Sequence, residues 1–140
     1  MKHFLLLAAV ALVVLAIQAD STVRGGKKVD TRVFEMRTYY AHPGKMQALH
    51  ARFRDHTLKL FVKHGMTNIG YWSPIDPAEA DKKLVYILAF PSREAAKKSW
   101  EDFMNDPAWK KAKADSETDG PLVAKVESVF LKGTDYSPIK

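Results

Sequence analysis

Cysteine is absent from this 140-residue chain. Its absence excludes disulfide staples, thiolate metal sites, a cysteine nucleophile and a lipid attached through a leader cysteine. Catalytic signatures are missing as well: the chain has no G-x-S-x-G elbow, no P-loop, no dinucleotide fingerprint and no H-E-x-x-H pair. The longest apolar run, 4–17, is 14 residues. As a helix it would reach about 21 Å, short of the ~30 Å hydrocarbon core of a bilayer. Glycine and proline stand at seven each, and with 46% apolar and 27% charged residues they exclude a disordered chain. What remains is the composition of one soluble domain.

The apolar run follows Lys2 and His3 and gives way at Gln18-Ala19-Asp20. This is the three-part layout of a secretory signal peptide over 1–19, with cleavage expected after Ala19. Ile17 occupies a position where a small residue is preferred, so an uncleaved anchor is the alternative. Residues 20–31 are polar, contain Gly25-Gly26 and read as a flexible lead-in. The folded domain is expected over 32–132, with 133–140 as a tail. Export to the periplasm or the extracellular space is expected, without stable membrane insertion once the leader is removed.

Within the domain, 33–40 is rich in β-branched and aromatic types and reads as a strand. Phe34, Met36, Thr38 and Tyr40 form its apolar face, and Val33, Glu35, Arg37 and Tyr39 its mixed face. Pro43 suits the first turn of a helix of about 20 residues, whose inner face carries Met46, Leu49, Phe53, Leu60 and Phe61. Gly65 ends that helix as a left-handed cap, with His64 in its last turn. Strands follow at 67–72 and 83–90, the second apolar enough to be central. Ser92 caps a helix running to about Asn105, and Asp106-Pro107 opens a short one over 108–114. The last strand is 122–131. The order is the split β-α-β-β-α-β, ferredoxin-like α+β sandwich, with two helices on one sheet face. The mixed face then needs a cover, and a second copy of the sheet supplies one economically, giving a homodimer.

Several stretches resemble the NIPSNAP family. They are Glu35-x-Arg37-x-Tyr39, Pro43-Gly44-Lys45, His64-Gly65, Gly70-Tyr71-Trp72, Ala89-Phe90, Trp100 and Asp106-Pro107-x-Trp109, in order over 33–131. The resemblance implies the dimeric α/β-barrel fold. It also implies a superfamily that includes oxygenases, cyclases and haem-degrading enzymes, although the NIPSNAP branch has no generally assigned reaction. Animal members are mitochondrial. The apolar leader here is unlike an Arg-rich transit peptide, so that location is not carried over.

Candidate site residues gather around the first strand. Glu35, Arg37 and Tyr39 share a face and would line a cavity beneath a partner sheet. Arg37 could hold a substrate carboxylate or enolate, with Tyr39 donating a hydrogen bond, or Arg37 and Glu35 could be a structural ion pair. By residue type His64 is the best general base, against a plain capping role beside Gly65. Tyr71 and Trp72 could stack on a ligand, but their alternation puts them on opposite faces, so at most one meets a given cavity. Trp100, Phe103, Met104 and Trp109 read as core. His42, His50, His56 and His64 have no metal-ligand spacing, so no metal and no cofactor are expected. Lys97, Lys98, Lys110, Lys111 and Lys113 are interleaved with acids, a solvated helical face and not a nucleic-acid surface, despite the net charge of +6. A small-molecule or partner-binding module is expected, its partner a second copy with a small organic ligand, and a purely structural dimer with a filled interior is a further reading. A cofactor-independent enzyme of oxygenase, isomerase or cyclase type, built on Arg37, Tyr39 and His64, is the alternative to a binding module.

Overall fold

The computed structural model describes residues 32–140. The expected leader and lead-in, 1–19 and 20–31, lie outside the described residues. The chain opens with β1 (Val33–Ala41). Its first helix begins later than Pro43: α1 (Met46–Arg52) runs through a π-helical stretch (Phe53–Thr57) into α2 (Leu58–Lys63). Gly44 sits at φ +74°, a left-handed backbone that a helix cannot contain, so Pro43 and Gly44 make a turn instead. At the far end Gly65 is at φ +76°. The Met66 amide bonds the Phe61 carbonyl and the Gly65 amide that of Val62, the paired bonds of a Schellman cap.

β2 (Thr67–Trp72) and β3 (Lys83–Phe90) match the expected strands, separated by a single capped turn, α3 (Pro77–Ala80). α4 (Arg93–Asn105) starts where the Ser92 hydroxyl accepts from the Ala95 amide, and α5 (Pro107–Ser116) where Asp106 accepts from Ala108. β4 (Val123–Leu131) closes the domain. The sheet has the order β2-β3-β1-β4 with every pairing antiparallel. This is the ferredoxin-like α+β fold expected, with β3 and β1 central.

One expectation is reversed. Glu35, Arg37 and Tyr39 face the chain's own helices, not the side left open for a second sheet. Register explains it: Tyr39, Arg37, Glu35 and Val33 stand beside Leu84, Tyr86, Leu88 and Phe90, all four of them buried. Side chains paired across two strands share a face, so the apolar alternation of β3 decides which side of β1 enters the core. The open face carries Phe34, Met36, Thr38 and Tyr40.

Aromatic rings fill the space between helices and sheet. Phe103 of α4 meets Phe61 at 4.9 Å, Trp100 at 5.7 Å and Trp109 at 4.5 Å between ring centres. Met104, expected inward, is exposed instead. On the outer faces of α4 and α5, Lys97, Lys98, Lys111 and Lys113 pair with Glu101, Asp102, Asp115 and Glu117, each four residues on. Truncating the ring at the centre of this packing, Phe103→Ala, is expected to cost about 3–5 kcal/mol of unfolding free energy, read as a lower denaturant midpoint with an unchanged slope.

Candidate functional site

The most heavily bonded side chain on the helix-covered face is Glu35, almost wholly buried. Its Oε1 accepts from Arg37 Nη1 at 2.9 Å and from Ser128 Oγ at 2.5 Å, while Oε2 accepts from Trp100 Nε1 at 2.6 Å. Three donors from β1, β4 and α4 converge on one carboxylate. Such a group is costly to bury alone, and charge-assisted hydrogen bonds offset that cost.

Arg37 lies with its guanidinium carbon 4.2 Å from the Trp100 ring centre and 5.7 Å from that of Tyr39. Burial would lower its pKa, but the phenols of Tyr39 and Tyr86 and the Glu35 carboxylate outweigh burial and raise it. Arg37 is therefore a fixed positive charge. Its Nε has no hydrogen-bond partner.

Beside it stands a group of phenols. Tyr86 is fully buried and stacked on Tyr71 at 5.4 Å, and Tyr39 meets Tyr86 edge-on at 5.2 Å. Phe53, set by the π-helical stretch, touches all three rings. The Tyr71 hydroxyl donates to Asn68 Oδ1 at 2.6 Å, and Asn68 Nδ2 donates to the Leu58 carbonyl. The Tyr86 hydroxyl makes no hydrogen bond of standard geometry. Burial first, and then the neighbouring Tyr39 phenol, push Tyr86 well above the usual phenol range. Burial does the same to Tyr71. The Tyr71 and Tyr86 phenols therefore stay protonated and do not serve as bases.

His64 belongs to a different cluster. Its Nε2 lies 2.7 Å from Asp106 Oδ2, which also accepts from Lys63 Nζ at 2.7 Å. The ring stands edge-on to Phe103, and no contact joins it to Arg37 or Tyr39. The Lys63 and His64 hydrogen bonds, with that of the Ala108 amide, hold the Asp106 carboxyl far below the ordinary carboxylate range. His64 thus locks the end of α2 to the start of α5. Trp72 lies on the open face, half exposed, its ring over Gly70, where a Cβ would come within 2.6 Å of the indole. Of the six candidates, Glu35, Arg37, Tyr39 and Tyr71 are brought together, while His64 and Trp72 stand apart.

Sequence reasoning missed Ser128 and took Trp100 only as core. Ser128 is an exposed residue of β4 whose place opposite Arg37 is set by the β1–β4 register, which no local pattern encodes. Among the described residues no group of three or more His, Asp or Glu side chains could hold a metal ion.

Two outcomes follow from these clusters. Glu35→Gln leaves Arg37 without its counter-charge and is expected to cost about 3 kcal/mol, measured by urea unfolding. The double change with Arg37→Met should recover at least half of that loss. For Asp106 the depressed pKa means stability that is complete above the unfolded-state value of about 4 and is lost as pH falls towards the folded-state value. The melting-temperature gap between the wild type and Asp106→Asn should therefore be widest above about pH 5 and narrow below about pH 4.

The sequence matches the NIPSNAP family profile over residues 34–138. No curated protein matches it at significant similarity. Among solved structures, a NIPSNAP family protein of unknown function from Agrobacterium tumefaciens is 22% identical, with a TM-score of 0.68 over 80% of this chain and 96% of that one. An uncharacterised NIPSNAP-like domain protein from Burkholderia xenovorans is 16% identical, with a TM-score of 0.66 over 78% and 90%. SnoaB, a cofactor-independent oxygenase from Streptomyces nogalater, is 13% identical, with a TM-score of 0.52 over 77% and 98%, a likeness of fold alone. With the fold in agreement and the match spanning nearly the whole described domain, this chain belongs to the NIPSNAP family.

Proposed function

We propose that this chain is an exported homodimer that serves as a small-molecule-binding module. What carries this is the uncovered face of the sheet. Trp72, Val129 and Leu131 are exposed there, beside partly buried Met36, Ile69, Val85 and Ile87. Met36, Trp72, Val85 and Ile87 line a hollow of about 410 Å³. The C-terminal residues Gly133, Thr134, Ser137 and Ile139 border a second, of about 250 Å³, with Phe34 and Leu131. Soluble monomers rarely leave such a contiguous apolar surface in water. A second copy related by a two-fold axis would bury it against its own equivalent. The helix-covered side of each sheet, with Glu35 and Arg37, would stay accessible at its β4 edge.

Binding is favoured over catalysis by how the polar groups are employed. Glu35 is saturated by three donors, the Tyr71 and Tyr86 phenols are held protonated, and the imidazole of His64 is committed to Asp106. An oxygenase such as the Streptomyces protein shares the fold, and fold alone does not carry its reaction across. Export rests on the leader pattern at 1–19.

The purified protein should sediment as a dimer at micromolar concentration, with an intact mass beginning at Asp20. Val129→Glu places a charge on the apolar part of the open face, at its β4 edge, and should shift it to monomer. A wild-type protein that sediments as a monomer overturns the dimer, and a mass that retains residues 1–19 overturns cleavage of the leader.

A further inference from the structure

Where α4 passes over the outer edge of the sheet, Glu35, Arg93, Glu94, Lys97, Trp100 and Phe130 line a groove of about 390 Å³. Its acids are already engaged. Both Glu35 oxygens are taken by Arg37, Ser128 and Trp100. Glu94 is held low by hydrogen bonds at the start of its own helix, from its own backbone and from Ser92, and by the charge of the adjacent Arg93. Its bases are not engaged in the same way. The Arg93 guanidinium lies 4.0 Å over the Phe130 ring and makes no salt bridge among the described residues, its charge acting on Glu94 only at longer range. Lys97 reaches Glu101 only at 3.9 Å, with both side chains largely in water. Formal charges in the lining balance, two carboxylates against two cations, and the cations are the more loosely held, neither being bonded to an acid closer than 3.9 Å.

The walls are flat and fixed. Trp100 cannot turn, because its Nε1 is bonded to Glu35 and Arg37 lies against its ring. Phe130 stands beneath Arg93. A preorganised aromatic wall, a second ring and two cations suit a ligand with an anionic head and a planar apolar body. We propose that this groove binds small aromatic carboxylates, the carboxylate meeting Arg93 and Lys97 and the ring lying against Trp100 and Phe130. The proposal deepens the binding role above and rests on it, but it uses the opposite face of the sheet from the dimer contact.

The test follows the three tryptophan indole N–H signals by NMR while 2-naphthoate is added to the purified protein, with its oligomeric state measured in the same buffer. Trp100 is assigned by its loss in Trp100→Phe. The expected result is a saturable shift of the Trp100 signal with a dissociation constant of about 1 mM or tighter, in keeping with a ligand of this size. The Trp72 and Trp109 signals should stay still. 2-Naphthamide, which lacks the charge, and the surface variant Arg93→Gln should each weaken binding about tenfold. No shift at 10 mM probe, equal binding of the amide, an unaffected Arg93→Gln, or a shift of Trp72 instead of Trp100 each overturns the groove. A monomer that binds naphthoate at Trp100 overturns the dimer and leaves the groove standing, so the two failures are distinguishable.

Discussion

The buried carboxylate of Glu35 is the constraint on which the rest of this domain depends. Its position is dictated by β1 pairing with β3, whose apolar alternation turns Glu35 inward towards the helices. Once there, it has to be answered by donors, and each donor organises something else. Ser128 ties the edge strand β4 to the centre of the sheet, Trp100 fixes the rotation of α4 over β1, and Arg37 is drawn flat against the indole. A neutral residue at 35 would leave the sheet and helices free to pack by apolar contact alone. The charge converts that loose fit into one geometry, at the cost of desolvating an ion.

A second device sets the depth of the phenol cluster. The helix that covers the sheet changes from α to π geometry over Phe53–Thr57 and back again. One wide turn shifts the phase of the residues after it, and it places Phe53 against Tyr39, Tyr71 and Tyr86 while Leu60 and Phe61 still face inward. Widening disturbs the regular backbone ladder. Thr57 answers part of that by donating its hydroxyl to the Arg52 carbonyl. Arg52 itself is buried, its Nη1 held by Glu117, so the end of α5 is anchored to the same stretch.

Much of the fold is legible in the sequence because its punctuation is local. Ser92, Asp106-Pro107 and Gly65 each act on amides or carbonyls within a few residues, and each stands where its chemistry predicts. Strands 67–72 and 83–90 are bounded by such signals on both sides. The site is less legible, because it is made by register. Taken alone, β1 offers Phe34, Met36, Thr38 and Tyr40 as its more apolar face, and nothing within it says that Glu35 and Arg37 point at helices. That information lies some fifty residues on, in the alternation of β3, and nearly a hundred residues on, where Ser128 meets Arg37. His64 misleads for the opposite reason: its residue type suggests a base, while its local place, one residue before a left-handed glycine, already describes its structural role.

Charge distribution joins these observations. The chain carries a formal excess of six positive charges, yet the lysines on the outer faces of α4 and α5 are mostly answered by acids one turn on. Such exposed pairs add little to stability, but they flatten the potential over that surface. The cations without a close acidic partner near the sheet edge are then conspicuous. Arg93 rests on a ring and makes no salt bridge, and Lys97 reaches Glu101 only at 3.9 Å, whereas Arg37 is paired with Glu35. Loosely held cations thus stand beside two aromatic surfaces, on the side of the sheet that a second copy would leave open. The same saturation of Glu35 that makes a proton-transfer role there unfavourable keeps it from pairing with Arg93 or Lys97, which stay free to meet a bound anion.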